Sequence, residues 1–230
     1  MLSALIFDFD GLILDTETPE VEGWRETFAE YGVPFPEEYF LWAVGRGAEQ
    51  ITERPIDFFR RALPDADYDE IARQATARRL AGIYANPPRP GLVALLDDAA
   101  ANSLALAVAS SSRHAWVDAH LDRLGLRDRF QHVVCADDVE RAKPFPDLYL
   151  RAVELLNLPT AQVVALEDSL NGATAAHAAG LRVIHVPNAL TQVQQVPFAL
   201  NRVPDFHPLS VDGIRAFIVA QNEEQGSPAA

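Results

Sequence analysis

From Leu92 onward the chain alternates short apolar runs with helical stretches, and this alternation narrows the fold more than any other feature. The run Leu104-Ala105-Leu106-Ala107-Val108-Ala109 is too short for a helix and suits a strand buried on both faces. Gln131–Ala136, Gln162–Leu166 and Leu181–Val186 repeat the pattern. Between them the apolar residues follow helical spacing. Leu92–Ala101, residues 113–124 with Val117, Leu121 and Leu124 inward, and Pro146–Leu156 read as helices, as does Leu170–Ala179 with Gly180 at its C-terminal cap. Buried strands separated by helices pair as a parallel sheet covered on both sides. The expected core is therefore α/β, a doubly wound, Rossmann-like parallel sheet. Such sheets bind ligands at the carboxyl ends of their strands, where strand order reverses.

The first strand carries the sharpest chemistry. Leu5-Ile6-Phe7 runs straight into Asp8-Phe9-Asp10-Gly11. On extended backbone, positions i and i+2 point to the same side, so Asp8 and Asp10 can reach into one pocket. Gly11 allows a sharp turn directly after them. Two carboxylates held together repel, a bound cation offsets that repulsion, and oxygen ligands suit magnesium. Ser110 closes the second strand and Glu167-Asp168 closes a later one, so Asp8, Ser110 and Asp168 all fall at strand carboxyl ends. Lys143 follows a fourth strand after a short loop.

Residues 16–86 read as a different kind of unit. Val21, Trp24, Phe28 and Tyr31 recur at helical spacing, and Gly32-Val33-Pro34 ends that helix. A short helix is expected after Pro36. Gly45-Arg46-Gly47 breaks the pattern, and Ala48-Glu49-Gln50-Ile51 reads as helix again, interrupted or restarted at Pro55. Tyr68, Ile71, Ala72, Ala75 and Ile83 mark a last long helix. Asn86-Pro87-Pro88-Arg89-Pro90-Gly91 is a stiff linker. The expected organisation is a catalytic core from residues 1–15 and 87–220, an inserted all-helical cap over 16–86, and a polar, disordered tail over 221–230.

A formal net charge of -14 argues against nucleic acid or anionic membrane as a partner. A single cysteine, Cys135, means no intrachain disulfide. No apolar run reaches the length of a membrane span, and the N-terminus lacks the charged start of a signal peptide, so the expected location is the cytoplasm. The six histidines show no metal-ligand spacing. The basic residues are more informative, with eighteen arginines and one lysine. A chain that uses arginine for nearly every positive charge has a reason for one compact ammonium at Lys143, such as fitting between a carboxylate and a phosphate.

Four motifs stand in order: Asp8-Phe9-Asp10-Gly11-Leu12-Ile13-Leu14-Asp15-Thr16-Glu17, then Ser110, then Ala142-Lys143-Pro144-Phe145-Pro146-Asp147, then Leu166-Glu167-Asp168-Ser169-Leu170-Asn171-Gly172. In these the chain resembles the haloacid dehalogenase superfamily over roughly residues 4–190, and most closely its helical-cap branch of beta-phosphoglucomutases and small-molecule phosphatases. The resemblance implies Asp8 as nucleophile and metal ligand, with Asp168 and the Asp10 carbonyl completing a magnesium site and Glu167 binding directly or through water. It implies Asp10 as general acid–base, which requires a proton on it at the start. Ser110, helped by the Ser111 N–H, would bind the phosphoryl group beside Lys143. Arg46 is expected to read the distal part of the substrate.

Within that superfamily the dehalogenase branch lacks the second acid of the first motif, and the phosphonate hydrolase needs a cap lysine that residues 16–86 do not contain. The mutase branch carries a cap histidine where this chain has Glu20, and also a cap lysine. The expected activity is thus a magnesium-dependent phosphatase of small phosphorylated metabolites, sugar phosphates foremost, acting as a monomer or weak homodimer. A phosphosugar mutase is the alternative, and a non-catalytic module binding a phosphorylated ligand is a third.

Overall fold

The computed structural model describes residues 1–43 and 51–226. The chain divides into two compact units, Met1–Ile13 with Pro88–Ala230, and Leu14–Pro87.

Among the described residues of the first unit, six strands form one sheet: β1 (Ala4–Phe7), β2 (Ala105–Ala109), β3 (His132–Val134), β4 (Val163–Glu167), β5 (Arg182–His185) and β6 (Asn201–Arg202). Their order is β3-β2-β1-β4-β5-β6, and every neighbouring pair is parallel. Strand order reverses between β1 and β4, which places the ligand crevice at their carboxyl ends. β1 and β4 are buried along their whole length, as their uninterrupted apolar runs require. The helices are α5 (Leu92–Ala101), α6 (His114–Arg123), α7 (Asp147–Leu156), α8 (Leu170–Ala178) and α9 (Val211–Gly226). α7 packs on β2 and β3, and α8 packs on β4 and β5. The buried face of α8 is Ala173, Ala175 and Ala176, small side chains that bring the helix close to the sheet.

Three details differ from the sequence reading. β3 stops at Val134, because the Asp138 carboxylate takes the Cys135 N–H (2.8 Å) and turns the chain into a 3-10 turn over Ala136–Asp138. β6 and α9 were not expected beyond the last apolar run. The tail from Gln221, expected to be disordered, is helical as far as Gly226. Arg182 donates to Gln221 Oε1 (3.2 Å) and Asn222 Oδ1 (3.1 Å), tying this turn to β5. None of the helices among the described residues is long and apolar enough to cross a membrane.

The described elements of the second unit are helical: α1 (Glu17–Glu30), α2 (Glu37–Ala43), α3 (Pro55–Ala62) and α4 (Tyr68–Ala85). Pro55 takes the first turn of α3, where a missing N–H costs nothing. Ile51, read as part of an earlier helix start, is not helical; α3 begins only at Pro55, where the Asp57 carboxylate takes the Arg54 N–H (2.9 Å). Phe28 centres the packing, with ring centroids of Phe59 at 4.3 Å, Phe35 at 5.6 Å, Phe58 at 6.2 Å and Phe40 at 6.3 Å.

Candidate active site

Strand register assembles the acids. Phe7 lies opposite Leu166, and the Asp8 N–H extends the ladder to the Leu166 carbonyl (3.1 Å), so Asp8 emerges beside Glu167. Asp168 follows directly. Each of the three carboxylates offers an oxygen within 4.8 Å of the others, and all three are buried. Lys143 enters from the loop between β3 and α7. Its ammonium donates to Asp8 Oδ1 and to Glu167 Oε1 (2.7 Å). Tyr149 of α7 donates its hydroxyl to the same Glu167 oxygen, and its ring lies 5.1 Å from the Lys143 nitrogen.

The electrostatics follow from burial. Burial pushes the Asp8 carboxyl up to about 8, with the Glu167 charge adding to the rise and Lys143 opposing it. Burial acts to lower Lys143, but the Asp8 and Glu167 carboxylates outweigh it and hold the ammonium above its usual range. Burial and the Glu167 charge lift the Tyr149 phenol well above normal, so it stays a donor. Were all three carboxylates ionised, the one ammonium would leave two negative charges uncompensated. The residues fit a hard dication: the donors are carboxylate oxygens, and Glu167 Oε2 is buried without a hydrogen-bond partner.

Asp10 is held alongside. Its Oδ1 accepts from Trp116 Nε1 (3.0 Å) and its Oδ2 from the Ser112 hydroxyl (2.6 Å). Ser110, buried at the end of β2, accepts the Ser112 N–H at its hydroxyl oxygen (3.0 Å). The Ser111 hydroxyl oxygen accepts the Lys143 N–H (3.3 Å), joining the β2 and β3 loops. Direct contacts and proximity thus unite Asp8, Lys143, Glu167 and Asp168, while Asp10, Ser110 and Ser111 connect through Ser112 and the Lys143 backbone. Arg46 lies outside the described residues.

Four partners escaped the sequence reading, Tyr149, Ser112, Trp116 and Asn188, the last hydrogen-bonded to Asp168, and Gly172 stood in its last motif without a role. Gly172 carried a signal. It stands in the first turn of α8, where glycine costs helix stability, and so needs a local reason. The reason is space, since a Cβ there would sit 2.0 Å from Glu167 Oε1. Tyr149 also carried one, because a tyrosine on the core face of a helix needs a partner for its hydroxyl. Ser112 and Trp116 follow Ser110 without a spacing that marks them, and Asn188 sits in a loop with no motif.

Comparison with known proteins bears on this site. A family model for haloacid dehalogenase-like hydrolases matches residues 2–180. "Putative phosphatase YhcW" of Bacillus subtilis is 40% identical over 195 residues, covering 83% of this chain and 86% of that protein. The fructose-1-phosphate phosphatase YqaB of Escherichia coli is 34% identical over 187 residues, covering 80% and 96%. The crystal structure of CbbY from Rhodobacter sphaeroides in complex with phosphate superposes with a TM-score of 0.69 at 30% identity, covering 94% of this chain and all of that one. The chain belongs to the haloacid dehalogenase-like hydrolases, in their helical-cap branch.

Proposed function

We propose that the protein is a magnesium-dependent phosphatase of small phosphorylated metabolites, sugar phosphates foremost, acting through an aspartyl-phosphate on Asp8. One observation carries this reading: three buried carboxylates share a site with a single buried ammonium. That charge imbalance favours a dication, and a dication favours the ionised Asp8 that burial alone would protonate. Asp8, Asp168 and the Asp10 carbonyl would hold magnesium, with Glu167 binding directly or through water. When bound, the ion neutralises the phosphate dianion and clamps it against the nucleophile.

An Asp8 carboxylate oxygen attacks phosphorus as the ester P–O bond breaks. Asp10 gives its proton to the leaving alkoxide and then takes one from the water that opens the acyl phosphate. That water becomes part of the inorganic phosphate released, and Asp8 is regenerated. Lys143 bears on the transferring group's charge, and Ser110 with the Ser111 N–H binds its oxygens. Arg46 remains the proposed reader of the substrate's far end. The phosphatases among the relatives, one of them named for fructose 1-phosphate, support sugar phosphates as the substrate class.

The mutase reading has less support. At the position where mutases carry histidine, the Glu20 carboxylate is bound by Trp24 Nε1 (3.0 Å) and Arg79 Nε (3.2 Å). A panel of phosphorylated metabolites, assayed for inorganic phosphate with magnesium and in chelator, tests the proposal. Magnesium-dependent release from at least one sugar phosphate is expected. Rapid conversion of beta-glucose 1-phosphate to glucose 6-phosphate, primed by the 1,6-bisphosphate with little phosphate released, would move the assignment to a mutase.

A further inference from the structure

We infer that Asn188 and Arg89, neither of which belongs to a motif of this chain, are positioning residues that set the magnesium affinity of the Asp168 carboxylate. The inference rests on the magnesium-phosphatase reading above. Asp168 Oδ2 accepts a hydrogen bond from Asn188 Nδ2 (2.8 Å), and both side chains are buried. The amide has only one way round. Its Oδ1 accepts the backbone N–H groups of Leu190 (2.8 Å) and Thr191 (2.9 Å), so Nδ2 must face the carboxylate. The Asn188 N–H in turn donates to the Thr191 hydroxyl oxygen (2.9 Å), closing the turn on itself. Asp168 is also fixed through its main chain, because His185 Nε2 donates to its carbonyl (2.9 Å).

Arg89 supports that turn from behind. Its guanidinium donates to the carbonyls of Val186 (2.9 Å) and Pro187 (2.8 Å), the two residues before Asn188, and to the Gly11 carbonyl (3.0 Å). Its own N–H donates to the Ile13 carbonyl (2.9 Å). One planar fork therefore ties the loop after β1 to the loop after β5. These loops flank Asp168 on both sides. Gly11 has a φ of +79°, and a Cβ on it would lie 2.4 Å from Asp168 Oδ2 and 2.9 Å from Asn188 Nδ2. The carboxylate is thus wedged between a residue that leaves it room and an amide that orients it. A lysine at position 89 would keep the charge but could not span three carbonyls.

The physical consequence is specific. A carboxylate without an orienting donor must lose rotational freedom when a cation binds, and one held in place has already lost it. Removing such an outer partner typically costs about 10–100-fold in metal affinity.

Calorimetric titration of the full chain with magnesium tests this, together with melting in chelator and in saturating magnesium. Asn188→Ala should raise the magnesium dissociation constant by about 10–100-fold. Arg89→Lys should raise it less. The stabilisation that magnesium gives should shrink in both, and turnover lost at low magnesium should be regained as magnesium is raised. A merely structural role would lower melting equally with and without the ion and leave the dissociation constant alone. Should Asn188→Ala fail to fold, Asn188→Ser keeps an acceptor for the turn and is too short to reach Asp168. Wild-type affinity in folded variants at both positions overturns the inference and leaves the phosphatase reading standing. Wild-type affinity in Arg89→Lys alone removes Arg89 from it. No magnesium binding by the wild type overturns both.

Discussion

Both units pair surface acids with arginines, but among the described residues only the sheet unit also draws carboxylates inside. In the helical unit, carboxylates stay at the surface and pair with arginines, as in Arg60–Asp57 (2.6 Å), Arg73–Glu70 (2.6 Å) and Arg25–Glu37 (2.8 Å). What holds that unit together lies beneath them, in the rings packed around Phe28. In the sheet unit, three carboxylates are drawn inside, and two of them pair with one lysine. Exposed pairs gain little, because water and salt screen them. Buried charges carry a desolvation penalty that pairing offsets only in part. The contrast teaches where to look for function: the acids that weaken the fold in the absence of a cation are the ones placed for chemistry.

The largest effect expected is on turnover. Asp8→Asn should cut it by about four orders of magnitude or more, on the scale of losing a covalent nucleophile. Metal-free stability at neutral pH should not fall, since an amide imitates the protonated carboxyl that burial already favours. A marked drop in the melting temperature of the chelated variant would show that the buried cluster serves the fold after all. The next effect reverses the two readouts. Phe28→Ala removes the ring at the centre of the helical unit and should cost about 3–5 kcal/mol in chemical denaturation. Magnesium affinity should be unchanged, because the cluster belongs to the other unit; a large shift in it would break the contrast. The smallest effect belongs to the surface. Arg73→Ala, which removes an exposed pair with Glu70 on α4, should leave the melting temperature within the scatter of repeat measurements.

Much of this was legible because buried parallel strands write themselves as apolar runs. The limits of β2, β4 and β5 fall within a residue of their runs, and the acids at strand ends could be read as converging. What was illegible has physical causes. β6 is two residues, Asn201 and Arg202, with no apolar run to announce it. α9 lies beyond the last apolar run, with Ser210 as its cap and Val211 and Ile214 buried at helical spacing. Asn188 was invisible because an orienting amide in a loop has no periodicity. Its one local trace, a threonine three residues later, is common to many turns. Lys143 was found by contrast with eighteen arginines, a signal that belongs to this chain's composition rather than to any element.

That bias has a practical side. Apart from the terminal amine, Lys143 carries the one amino group in the chain, and its side chain is only 7% exposed. Reagents that acylate amines therefore have almost nothing to react with on the surface. Across these residues, coupling to a dye or a solid support by such chemistry finds no exposed lysine. Any label found at Lys143 reports that the buried ion pair opened long enough for the reagent to enter.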